Sequence, residues 1–96
     1  MINLQQAFQK VSDAGEFLQF SKIEKPLHRR RDIAAFLLLD KLVPDGDTDI
    51  VEGASHDVVW LSINVEKLAE VATEADILYL YRCGIRLGED TLEMFT

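Results

Sequence analysis

Apolar residues recur at three- and four-residue spacing from the start of the chain: Leu4, Ala7, Phe8, Val11 and Ala14 share one helical face, with Asn3 placed to cap the helix and Gly15 to stop it. Glu16 to Pro26 carries Phe17, Leu18, Phe20 and Ile23 and fits either a short helix or an irregular apolar clamp that Pro26 closes. The strongest helical pattern runs from Leu27 to Val43. Asp32 lies near its start, the run Ile33-Ala34-Ala35-Phe36-Leu37-Leu38-Leu39 fills its middle, and Pro44 ends it. A helix apolar around most of its circumference belongs at the centre of a domain or in an oligomer interface, so a homodimer through this helix is one expectation. Pro44-Asp45-Gly46-Asp47 follows as a turn.

The period then changes to two. Asp49 to Glu52 and Asp57 to Ile63 predict two strands of a hairpin around Gly53-Ala54-Ser55, with Val59, Leu61 and Ile63 on one face and Val58, Trp60 and Ser62 on the other. Asn64 caps a short helix reaching Ala72. Thr73 to Asp76 has the form of a capping box and starts a second helix that Gly84 ends. Ile85-Arg86-Leu87, a turn at Gly88-Glu89-Asp90 and Thr91 to Phe95 make a second hairpin. The predicted fold is α+β: N-terminal helices including one long central helix, packed on a small antiparallel sheet made of two hairpins separated by two short helices. Residues 1–96 form a single domain, because two cores could not each be large enough in 96 residues.

Composition narrows the function classes. Hydrophobic residues make up 48% and charged residues 28%, an ordinary globular balance that excludes global disorder. The longest apolar run spans Ile33 to Leu39, far short of the roughly 20 residues a membrane span needs. The opening Met1-Ile2-Asn3-Leu4 lacks the basic and apolar regions of a secretory signal, so the cytoplasm is the expected location. Cys83 is the only cysteine, which rules out an intramolecular disulfide and any multi-cysteine metal site.

Charge is segregated. Lys22, Lys25, Arg29, Arg30 and Arg31 lie within ten residues against one anion, Glu24, giving that stretch +4 and the other 86 residues −11, for a total of −7. The plain reading is that these cations pair with acids of the same chain. The functional reading is contact with an anionic surface, for which the planar fork of arginine is suited. A chain this acidic gains little from counterion release, so nucleic acid is disfavoured as a partner. Trp60 either packs under a helix or anchors a partner, and Tyr79 and Tyr81, two residues apart on one helix, cannot both be fully buried. Arg29, Arg30, Arg31, Trp60 and Tyr79 are therefore the candidate partner-binding residues.

Catalytic and metal-binding patterns fail on inspection. An EF-hand loop beginning at Asp45 matches with Asp47 and Asp49, but its sixth position is Ile50 where glycine is needed and its twelfth is His56 where glutamate is needed. His56-Asp57 lacks further ligands, and Cys83 has no identifiable base. No glycine-rich phosphate loop or nucleophile elbow is present. The sequence thus predicts no enzyme, no cofactor, no catalytic or metal-ligating residue and no membrane contact.

The segments His56 to Asn64, Leu68 to Glu74, Leu80-Tyr81-Arg82-Cys83-Gly84-Ile85 and Leu92-Glu93-Met94-Phe95 together resemble a group of small uncharacterised phage and prophage proteins. The likeness covers residues 56–96, and its most distinctive piece is the Arg-Cys-Gly helix ending followed by a strand closing in Met-Phe. It implies expression inside a bacterial cell and an accessory role. Together with the residue-level reading it points to a noncatalytic interaction module with a protein partner, which could be host-encoded. One alternative is an acidic mimic of nucleic acid that inhibits a host nucleic-acid-binding protein. A second is a small metal-dependent hydrolase using His56, Asp57 and the acidic turn.

Overall fold

Helix α1 forms over Leu4–Asp13. The Asn3 side-chain oxygen accepts the Gln6 N–H at 3.0 Å, satisfying one of the N–H groups that a helix start leaves without a partner. Leu4, Ala7 and Phe8 turn into the core. The computed structural model describes residues 1–44, 49–89 and 91–95. After α1 the chain crosses Gly15 and makes a single 3-10 turn at Phe20–Lys22.

Helix α2 spans Arg31–Leu42, four residues shorter at its start than the predicted Leu27 to Val43. Leu27 to Arg30 are drawn off by other bonds. The Leu27 N–H donates to Tyr79 Oη at 2.9 Å, the Arg30 N–H donates to His28 Nδ1 at 3.0 Å, and Arg30 is extended at φ −95° and ψ 128°. Three arginines in a first helical turn would also oppose the macrodipole, so beginning at Arg31 keeps two of them outside. Ala34, Ala35, Leu38 and Leu39 are buried, while Leu37 on the opposite side is 45% exposed. Phe36 and Leu42 are partly buried against the same core, and α2 meets α4, which leaves Leu37 as the exposed apolar residue of the helix.

The remaining elements are β1 (Val51–Ala54), β2 (Val58–Leu61), α3 (Val65–Val71), α4 (Glu74–Arg82), β3 (Ile85–Leu87) and β4 (Leu92–Phe95). The four strands form one antiparallel sheet in the order β1-β2-β4-β3. β1 sits further along than Asp49 to Glu52, includes Gly53 and Ala54, and carries a register irregularity between Val51 and Gly53. The predicted turn at Asp45 to Asp47, like Asp90 of the second turn, lies outside the described residues.

Strand alternation sorts the sheet into two faces. Leu61, Leu92, Met94 and Ile85 are buried, joining Leu68, Ile77, Leu80 and the apolar residues of α1 and α2 in one core with no buried polar side chain among the described residues. Trp60, Glu93 and Arg86 point the other way, in cross-strand register. Helix α4 starts at a capping box: Thr73 Oγ1 accepts the Asp76 N–H at 3.2 Å, and Asp76 Oδ2 accepts the Thr73 N–H at 2.9 Å.

Candidate functional site

The basic stretch is divided by the fold into groups with different duties. Lys22 Nζ lies 3.6 Å from Glu16 Oε1, which also accepts Arg82 Nε at 3.2 Å. The Arg82 hydrogen bond, helped by the nearby Lys22 charge, holds the Glu16 carboxyl below the usual carboxylate range. Among the described residues Arg31 pairs with no acid. Its Nη1 donates to the carbonyl oxygens of Cys83 at 3.0 Å and Phe95 at 2.8 Å, joining the start of α2 to the end of α4 and to the last strand. A cation at the C-terminal carbonyls of α4 is also well placed for that helix's dipole. Lys25, Arg29 and Arg30 are exposed, and among the described residues none of their side chains has an ion-pair or hydrogen-bond partner.

Tyr79 belongs to the same region as Arg31. It is half-buried against the core, its hydroxyl is occupied by the Leu27 N–H, and burial pushes its phenol up from the usual value. Leu27 and Arg31 thus strap the approach to α2 against α4 at both ends, and Arg29 and Arg30 stand on the strap between them. Trp60 is elsewhere. It is half-buried on the sheet face away from the core, with Gly53 and Glu93 as cross-strand neighbours. Its indole lies so close over Gly53 that a Cβ there would approach Cε3 to 3.3 Å. Aromatic cover of a strand glycine accounts for that contact, and Trp60 is not among the buried residues of the core.

The surface residues that sequence reasoning did not select are apolar. Leu27, before α2, is 48% exposed, and Leu37 of α2 is 45% exposed, with Ile33 half-buried one turn before it. The signal for Ile33 and Leu37 was present in the unbroken apolar run, because seven successive apolar residues on a helix must point in every direction. What the run does not reveal is which directions the rest of the chain will cover.

His56 and Asp57 sit exposed beside the first hairpin turn, with Nε2 and Oδ1 3.9 Å apart. Among the described residues no group of three or more His, Cys, Asp or Glu side chains could hold a metal ion. Among the described residues no helix is long and apolar enough to cross a membrane. The Cys83 thiol is fully buried, and burial pushes it up to about 12. Its ordinary value is 9.0, so above that pH the unfolded chain releases a proton that the folded chain retains, and stability falls as pH rises toward 12. Denaturant unfolding at increasing pH above about 9 should therefore show wild type losing stability more steeply than Cys83→Ala. Tyr79, also raised, contributes the same sign in both proteins. Parallel slopes would remove Cys83 as the cause.

No protein-family model matches the sequence, and no curated protein or solved structure matches it.

Proposed function

We propose that this chain is a noncatalytic accessory protein of phage or prophage type that acts in the bacterial cytoplasm by binding another protein. The observation that carries the reading is Leu37 of α2, an apolar side chain 45% exposed, with half-buried Ile33 one turn before it. Removing a leucine side chain of this kind from water stabilises an association by about 1–2 kcal/mol. The likeness of residues 56–96 to phage and prophage proteins supplies the cellular setting.

The noncatalytic part of the reading has its own support. Cys83, the one cysteine, is buried as a neutral thiol, and His56 and Asp57 stand in open solvent without the neighbours that would orient a nucleophile. Arg31 and Tyr79 contribute to the proposed surface by holding the strap in place, and their functional groups face inward.

The test is affinity capture from bacterial lysate with tagged wild-type protein, Leu37→Glu and Val71→Glu. Val71 is 50% exposed and serves as a control of similar apolarity. Both variants should keep wild-type stability to within about 0.5 kcal/mol, because neither position is buried. One protein should be retained by wild type and Val71→Glu and lost with Leu37→Glu. Equal retention by all three, or none by any, rejects α2 as the docking face.

A further inference from the structure

We infer that β3 is a docking edge: an extended, basic segment of another protein pairs with it as a further strand of the sheet, in the cleft between β3 and α1. The inference concerns a different surface from Leu37 and is tested separately from it.

The sheet has two outer strands, β1 and β3, and the fold treats their edges differently. β1 carries the register irregularity between Val51 and Gly53 and the exposed charge of Glu52, both of which discourage a further strand. β3 pairs regularly through Ile85, Arg86 and Leu87. Its outward groups follow from the ladder. The Phe95 N–H donates to the Gly84 carbonyl at 3.0 Å and the Gly88 N–H to the Thr91 carbonyl at 2.8 Å. Bonded and non-bonded pairs alternate along an antiparallel ladder, so between those two bonds it is Arg86 that faces Glu93 as a bonded pair. The N–H and carbonyl of Leu87 therefore point away from β4, and among the described residues neither has a partner.

Helix α1 packs beside β3 and leaves an open cleft of about 390 Å³ against that strand. Leu87 lines it on the strand side, and Gln5, Gln9 and Ser12 line it from one flank of α1, where their spacing places them together. Phe8 and the half-buried Tyr81 are its more deeply set walls. The side chains of Gln5 and Ser12 and the hydroxyl of Tyr81 have no hydrogen-bond partner among the described residues. An extended chain seated here bonds the Leu87 backbone on one side and meets amide and hydroxyl groups on the other. Neither a helix nor a small ligand presents backbone donors and acceptors in a line to a strand edge, as strand addition requires.

Charge makes the occupant basic. Arg86 is already neutralised by Glu93 at 2.9 Å. Asp13, which accepts from the Gln9 amide at 2.8 Å, and Glu89, next to Gly88, are exposed and have no cation in ion-pair reach among the described residues. Arg29 and Arg30 do not compete, because they adjoin Arg31, which is bonded to Cys83 and Phe95 at the opposite end of β3. The net charge of −7 works in the same direction and opposes a polyanion or a second copy of this chain on the same edge.

The probe is a short fluorescent peptide of alternating valine and threonine with lysines at its ends, compared with a glutamate-ended version and with one N-methylated at alternate amides. Anisotropy should show the lysine-ended peptide binding at least about tenfold more tightly than either, with the preference over glutamate shrinking as salt is raised. Exchange of the Leu87 amide hydrogen should slow on binding, while the amides of β1 are unchanged. Leu87→Pro removes the outward N–H and no ladder bond, a change that edge strands tolerate, and Gln5→Trp fills the cleft from an exposed position on α1. Each should weaken binding about tenfold or more, and Gln5→Trp should leave Tm unchanged, so it decides alone if Leu87→Pro does not fold. Absence of binding, equal binding of the N-methylated or glutamate-ended peptide, or full affinity in Gln5→Trp overturns the inference. So does sedimentation as a dimer that Gln5→Trp dissociates, which would give the edge to a second copy. Lysate capture that depends on Leu37 is untouched by any of these results.

Discussion

Gly84→Ala should destabilise the fold by about 3 kcal/mol or more, the sum of a backbone cost and a displaced contact. Gly84 has φ +99°, a conformation in which an L-residue pays about 1–2 kcal/mol. Its absent side chain also leaves room for two others. A Cβ at this position would lie 2.7 Å from Arg31 Nη1 and 2.8 Å from Leu18 Cδ2. Leu18 has little freedom to withdraw, since it is itself held at φ 58° with its N–H bonded to the Tyr81 carbonyl at 3.2 Å. The guanidinium would have to move, loosening its bonds to Cys83 and Phe95. Gly15→Ala is the control: it has φ +72° but nothing within 4 Å, so only the backbone cost of about 1 kcal/mol applies. Thermal unfolding separates them, because 1 kcal/mol shifts Tm by about 4–8 °C in a domain of this size. Equal shifts for the two variants would show that the close approach at Gly84 contributes nothing.

How far the sequence discloses this arrangement depends on whether the deciding interaction is local. The Asn3 cap, the Thr73–Asp76 capping box and the Gly84 stop each involve residues within a few positions of one another, and all three are found. The sorting of Leu61 from Trp60 likewise follows from the two-residue period of a strand. The start of α2 is different. It is set by Tyr79 Oη taking the Leu27 N–H and by Arg31 reaching Cys83 and Phe95, partners 52 and 64 residues away along the chain. The helical pattern of Leu27 to Val43 contains no trace of them. The same limit applies to burial around α2: the apolar run does not disclose that Leu38 and Leu39 are buried while Leu37 between Phe36 and Leu38 is exposed. Arg29, Arg30 and Arg31 look alike as a run, and only long-range contacts distinguish the third from the other two.

That distinction supplies the second large effect. Arg31→Ala should cost about 2 kcal/mol, while Arg29→Ala and Arg30→Ala should each stay within about 0.5 kcal/mol. Hydrogen bonds from a charged donor contribute roughly 1.5–3 kcal/mol, and the lower part of that range is appropriate because Arg31 is only half-buried. Lysine should not restore the site fully: its ammonium is a point charge on a flexible stem, and it would have to reach the Cys83 and Phe95 carbonyls without a planar fork. Denaturant midpoints at constant slope give the three differences. A double-mutant cycle then joins the two predictions. If Gly84→Ala acts partly by displacing the Arg31 guanidinium, the double variant should be less destabilised than the sum of the singles by about 1 kcal/mol. Strict additivity would mean that the two sites act independently despite the 2.7 Å approach. The consequence extends to binding. A stability loss confined to Arg31 means that charge reversal at Arg29 and Arg30 leaves a folded protein, so loss of a partner in that variant reports on the surface itself. Destabilisation spread over all three arginines would instead place the whole cluster among the contacts that hold α2 to the rest of the chain.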